Sequence, residues 1–171
     1  EIGMTNLWLT HNANKKDFIT IKTRILDIYK HHWYSNINNS SRLSSYSIYK
    51  HQFNQENYLN VINTNKFRIS LTKFRLSSHN LAIEKGRHRG IPRDERKCQK
   101  CTMNVVENEF HFLLVCPKYY DLRKQYLKPY FCRWPTLNKF EALMSSKNPK
   151  ELNNLSKYLF FAFQTREQAD M

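Results

Sequence analysis

The sequence predicts a mainly α-helical protein, a small helical domain with one cysteine-and-histidine loop embedded in it. Three observations predict this. Residues 1–85 contain no proline and only Gly3 among the glycines, so helices can run without interruption. Apolar residues recur at three- and four-residue spacing, and no run alternates with the period of a strand. Near the middle, "KCQKCTMNVVENEFHFLLVCPKYY" sets Cys98, Cys101, His111 and Cys116 in the spacing C-x2-C-x9-H-x4-C.

Taken in order, "DFITIKTRILDIYKHHWY" places Phe18, Ile21, Ile25, Ile28 and His32 on one stripe and predicts an amphipathic helix over 16–34. "SNINNSSR" (35–42) is a polar loop by composition. Short helices are expected around Leu43, Tyr46, Tyr49 and Phe53, and again at "ENYLNVI". A long helix is predicted over 65–85. Its stripe of Phe67, Leu71, Phe74, Ser78 and Leu81 faces one way, and Ile69, Leu76 and Ile83 face the other. Such a helix would be buried on two sides, with Arg68, Arg75 and His79 on one flank between the stripes and Lys66 and Lys73 on the other.

Gly86 and Gly90 then turn the chain into "GIPRDERKC". Asn104 and Glu107 stand at the spacing of a capping box, and Glu107 and Glu109 suit the positive end of a helix. That short helix carries Phe110 to Val115 and stops near Pro117. "PKYYDLRKQYLKPY", "TLNKFEALM" and "ELNNLSKYLFFAF" complete the set, the last aligning Leu152, Leu155, Leu159 and Phe163. The chain thus divides into an N-terminal helical segment (1–64), a basic helix with its Gly/Arg-rich lead-in (65–97), the cysteine-histidine unit (98–131) and a C-terminal helical segment (132–171).

The formal net charge is +14 over 171 residues. It is concentrated: residues 66–100 hold 11 basic and 3 acidic side chains. A surplus of that size favours a polyanionic partner. The first residue is Glu1, so the chain reads as a piece of a longer one. No secretory leader and no long apolar run are visible, which predicts an intracellular protein, nuclear or cytoplasmic, without a membrane partner.

In a reducing compartment, Cys98, Cys101, His111 and Cys116 read best as ligands of one Zn2+ ion, bound as a tetrahedron of three thiolates and one imidazole. His111 and Cys116 are five apart, about 140° on a continuous α-helix, so they converge only if the helix breaks. Pro117 favours that, because the residue before a proline is pushed out of the helical region. Free thiols and a redox C-x-x-C are the alternatives that the residues leave open. Cys132 has no partner at ligand spacing and reads as core, and His31, His32 and His51 lack ligand-like context. A zinc with three thiolates carries a charge of −1, so Arg96, Lys97 and Lys100 can serve as partners of the sulfurs. That account does not reach Arg87, Arg89, Arg93 or the Arg68/Arg75 edge.

The stretch "LTKFRLSSHNLAIEKGRHRGIPRDERKCQKC…VENEFHFLLVCPKYYDLRKQYL" resembles the segment that follows the polymerase domain in non-LTR (LINE-type, jockey-like) retrotransposon proteins. The resemblance spans residues 65–131 closely and 16–64 more loosely. It is carried by the C-x2-C, by the E-x-H-F-x3-C around Glu109, His111 and Cys116, and by the basic lead-in. It implies a zinc-knuckle-like (CCHC) motif at Cys98, Cys101, His111 and Cys116 that assists in holding RNA or target DNA beside the polymerase domain of the parent protein. The spacing from Cys101 to His111 exceeds that of the retroviral nucleocapsid knuckle, so that fold is not implied. No aspartate pair in a strand-turn setting and no carboxylate cluster is present, so the chain is not expected to be an enzyme. The expected nucleic-acid contacts are Arg68, Arg75, Arg87, Arg89, Arg93, Arg96, Lys97 and Lys100, with Phe112, Tyr119 or Tyr120 available for stacking if they do not pack. The competing expectation is a structural or protein-interaction module in which zinc only staples the helices.

Overall fold

The computed structural model of the chain describes Thr5, Leu9 and residues 14–168. The chain forms two units, Glu1–Ser41 and Arg42–Met171. The first is built on helix α1 (Lys15–Asn39), which starts with a capping box: the Asn14 side chain accepts from the Lys16 and Asp17 amides, and Asp17 accepts from the Asn14 amide. The helix runs through the first part of the expected polar loop. Composition alone suggested a break there, but no glycine or proline enforces one, and the Asn39 side-chain amide donates to the Ser35 hydroxyl one turn back.

The second unit is also helical. It contains α2 (Tyr46–Tyr49), α3 (Tyr58–Val61), α4 (Asn65–Arg75), α5 (Ala82–His88), α6 (Tyr120–Tyr126), α7 (Pro129–Cys132), α8 (Leu137–Met144) and α9 (Pro149–Gln168), with short 3-10 turns at Arg93–Glu95 and Pro117–Tyr119. Among the described residues there is no strand, only one isolated antiparallel bridge between Lys97 and Val106. The mainly α class expected from the periodicity is the class observed.

The predicted helix over 65–85 is two helices. α4 ends at Arg75 in a Schellman motif: Ser77 adopts the left-handed region (φ 49°), the Ser78 amide bonds back to the Lys73 carbonyl, and the Ser77 amide to that of Phe74. The two-sided burial fails with it, since Ile69 and Leu76 are exposed while Leu71 and Phe74 are buried. The expected helix from Pro117 to Tyr130 is likewise divided. Pro129 forces Lys128 into an extended conformation (φ −63°, ψ 138°), and α7 starts afresh.

α9 organises the core, packing along α4 and against α3 and α6. It buries Leu152, Leu155, Tyr158, Leu159 and Ala162. At the centre, the fully buried Phe112 stacks on Phe163 of α9 (ring centroids 4.7 Å apart) and meets Tyr119 edge-on at 4.7 Å and Phe74 of α4 at 6.0 Å. Burying one such ring stabilises by about 1.5–3 kcal/mol. Phe112 directly follows His111 in sequence, so the core and the cysteine-histidine unit share a segment. No helix among the described residues is long and apolar enough to cross a membrane.

Candidate metal centre

Cys98 and Cys101 lie on a tight hairpin. The Glu107 amide donates to the Arg96 carbonyl and the Cys98 amide to that of Val105, both at 2.9 Å. The turn is completed by Asn104 in the left-handed region (φ 52°), which asparagine tolerates. Asn104 is therefore a turn residue and not the helix cap that its spacing to Glu107 suggested. The cap is Asn108, whose side-chain oxygen accepts from the His111 amide at 2.8 Å.

From this cap the chain winds through Glu109 and Phe110 and then widens into a π-helix, His111–Val115. The Cys116 amide donates to the His111 carbonyl at 2.7 Å, a bond that spans five residues. Widening the turn in this way brings a residue five positions on back towards the face of the first. Cys116 then leaves the helix (φ −54°, ψ 120°) before Pro117. A proline-driven break was expected from the sequence; the wider turn that precedes it was not. Arg123 of α6 is buried and covers the freed carbonyls, donating to Cys116 at 2.6 Å.

These devices bring the Cys98, Cys101 and Cys116 sulfurs and a His111 ring nitrogen within 4.8 Å of one another. His111 Nε2 lies 3.5 Å from Cys101 Sγ. Cys98, Cys116 and His111 are buried, and Cys101 is partly open to solvent. The thiols cannot all ionise unaided. Cys98 is pushed up to about 12, first by its hydrogen bond with Cys116 and then by burial. The same bond lowers Cys116, and burial raises Cys101. A cation placed among them supplies the missing charge. Three soft sulfurs and one imidazole converging in a largely buried corner fit such an ion, so the group can hold a metal.

Two buried carboxylates fix the corner to the rest of the fold. Glu107 accepts from both terminal nitrogens of Arg166 on α9, with the second contact at 2.8 Å. Its Oε2 also accepts from the Ala82 amide at 2.7 Å, and its carbonyl accepts from the Ile83 amide at 3.1 Å. Glu107 thus caps α5 from outside and stands 3.5 Å from Cys98 Sγ. Glu109 points elsewhere, accepting from the hydroxyls of Ser45 (2.7 Å) and Ser77 (2.8 Å), with His79 Nε2 at 3.1 Å. Neither carboxylate serves the first turn of its own helix as expected. Arg166 and Arg123 were not singled out in the sequence, where nothing in their spacing marks them.

Of the eight expected nucleic-acid contacts, Arg89, Arg96, Lys97 and Lys100 line one cavity, and Arg68, Arg75, Arg87 and Arg93 do not. Arg75 is buried at 3% exposure and belongs to the core: it donates to the Met144 carbonyl at 2.6 Å and to Glu56 at 3.0 Å, and lies 4.5 Å above the Tyr49 ring. That placement withdraws it from any phosphate. Arg96 is half-buried and braces the turn after α5, donating to the carbonyls of Ile91 (2.9 Å) and Ile83 (3.0 Å). Arg87 is paired with Glu84 at 2.9 Å, and Arg68 reaches Asn65 at 3.3 Å. Arg89, Arg93 and Lys97 are exposed, and Lys100 is half-exposed. Phe112 and Tyr119 are core residues and cannot stack on a base, whereas Tyr120 is 58% exposed. Cys132 is half-buried at the end of α7.

Beside the hairpin, a cavity of about 480 Å³ is walled by Lys85, Arg89, Arg96, Lys97, Lys100 and Arg166, with Glu95 and the already paired Glu107 as its acidic members. Lys85 was not among the expected contacts, although it belongs to the same basic run. No protein-family model, no curated protein and no solved structure matches the chain.

Proposed function

We propose that this chain is a zinc-stapled nucleic-acid-binding module from the C-terminal region of a non-LTR retrotransposon reverse transcriptase, handling RNA template or target DNA without polymerising. The observation that carries the binding reading is the cation-walled cavity formed between α5 and the hairpin that bears Cys98 and Cys101. Its six basic side chains outnumber Glu95 and Glu107, the latter already paired with Arg166, so the wall keeps a positive surplus that suits a phosphate backbone. Zinc is the metal that three thiolates and one imidazole in a closed tetrahedral site suit best. Cys98, Cys101, Cys116 and His111 would hold it, and it would offset two of the three thiolate charges and clamp hairpin to π-helix. The retrotransposon assignment rests on the sequence resemblance alone.

Fluorescence anisotropy with a random-sequence single-stranded oligonucleotide tests the reading. Affinity should fall steeply with salt, and Arg89→Ala should lower the slope of log affinity against log salt by about 0.7. Binding that is absent at low salt, or insensitive to salt, contradicts it. A second reading, docking onto a polymerase domain, is favoured by the exposed Phe18, Ile19 and Ile25 of α1. It is the reading left standing if the oligonucleotide does not bind.

A further inference from the structure

The cation-walled cavity beside the hairpin has a floor. Glu107 and Arg166 line it, both are buried, and they are bound to each other and to the Ala82 amide. Lys85, Gly86 and Arg89 of α5 supply one side, and Arg96 and Lys97, on the approach to the hairpin, supply another. Six basic side chains in all face two carboxylates, Glu95 and the paired Glu107. Such a concavity differs from an open groove, because what enters it stops at the ion pair.

Arg96 is the fixed cation of this wall. Its stem crosses Gly86 so closely that a Cβ there would stand 2.5 Å from Cγ and 2.8 Å from Cδ. Nε donates to the Ile91 carbonyl at 2.9 Å and Nη1 to the Ile83 carbonyl at 3.0 Å. Two such bonds hold the planar guanidinium in one orientation before any ligand arrives. Its remaining nitrogen, Nη2, is open to solvent and makes no hydrogen bond among the described residues. Around it, Lys85, Arg89 and Lys97 are exposed and form no ion pair among the described residues. One donor is therefore preorganised, and three longer, mobile cations can adapt to what it holds.

An internal phosphodiester carries one negative charge, and its strand continues on both sides. A terminal phosphomonoester carries about 1.5–2 negative charges near neutral pH, offers three strong acceptor oxygens and has chain on one side only. A floored cavity with a surplus of cations suits the second better than the first. We propose that the cavity receives the terminal phosphate of a bound strand. Arg96 Nη2 is the fixed donor to it, and Lys85, Arg89 and Lys97 close on the other oxygens. This inference rests on the nucleic-acid reading and deepens it, since the module then holds strand ends in preference to uninterrupted strands.

Single strands of one sequence, ending in a 5′-phosphate, a 3′-phosphate or hydroxyls at both ends, test this by anisotropy on the full chain at one low salt concentration. A longer hydroxyl-ended strand of equal total charge controls for charge alone. The expected result is about tenfold tighter binding of a phosphate-ended strand than of that control. The ratio should fall towards unity in Arg96→Ala and severalfold in Lys85→Gln, and should stay unchanged in Arg93→Ala, which lies outside the cavity. Lys85 is exposed, so its variant decides the matter if Arg96→Ala does not fold. Equal affinity for phosphate-ended strands and control, or a ratio that Lys85→Gln leaves intact, overturns the end site and leaves general nucleic-acid binding standing. A ratio lowered as much by Arg93→Ala overturns it too. Failure of every strand to bind overturns the nucleic-acid reading and the end site with it.

Discussion

Glu109 stands two positions before His111, yet its carboxylate accepts from Ser45 and Ser77, which lie 64 and 32 residues away. Burial opposes its ionisation, but His79, followed by Ser45, outweighs that and holds its pKa at about 2. Glu109→Ala leaves these donors without an acceptor and should destabilise by about 3–5 kcal/mol, with Glu109→Gln costing less, as read from urea unfolding of the metal-loaded chain. Arg75 provides a companion case. Arg75→Ala strips Glu56 of a buried partner and should cost about 3 kcal/mol, while the affinity of the folded protein for an oligonucleotide stays as in wild type. An unchanged stability would return Arg75 to the surface role that its sequence position suggested. Helical spacing put Arg75 on a basic flank between two stripes; it could not show that three tyrosine rings, from Tyr46, Tyr49 and Tyr58, close over its guanidinium.

α4 and α5 end with the same Schellman geometry, and only one of the two ends was legible in advance. After α5 the left-handed residue is Gly90 (φ 68°), the amide of Ile91 bonds to the Gly86 carbonyl, and the glycine announces the turn. After α4 the left-handed residue is Ser77, which looks like any helical serine; its hydroxyl bond to Glu109 and the bond from Arg42 to the Leu76 carbonyl hold it there. The π-turn was illegible for a similar reason, since its cause lies in the Asn108 cap, in Pro117 and in Arg123 acting together. Gly86 marks a close approach: a Cβ there would stand 2.5 Å from Arg96 Cγ. Gly86→Ala should therefore destabilise by about 1–3 kcal/mol in the wild-type background and by clearly less in Arg96→Ala, a coupling that a double-mutant cycle on thermal unfolding measures. Additive costs would show that the two residues do not meet.

On the scale of the whole molecule, the cysteine-histidine unit lies where distant parts of the second unit join. Glu107 ties it to α5 and to Arg166 of α9, Glu109 ties it to the segments around Ser45 and Ser77, and Phe112 anchors it in the aromatic core. That Cys98, Cys101, His111 and Cys116 could come together around a metal was legible in the sequence, because C-x2-C and a proline-terminated H-x4-C carry local geometry. The buttresses were not, because ion pairs across 59 residues leave no local trace. An ion at such a junction acts on the whole unit, so its loss should be felt in the aromatic core as well as in the hairpin. Metal analysis of the purified chain, followed by chelation under near-ultraviolet circular dichroism, tests this most directly. The expected result is one zinc per chain, absent from Cys116→Ser, with the aromatic signal collapsing when the metal is withdrawn. A chain that purifies without metal, and whose aromatic signal is indifferent to chelator and to Cys116→Ser alike, would contradict it.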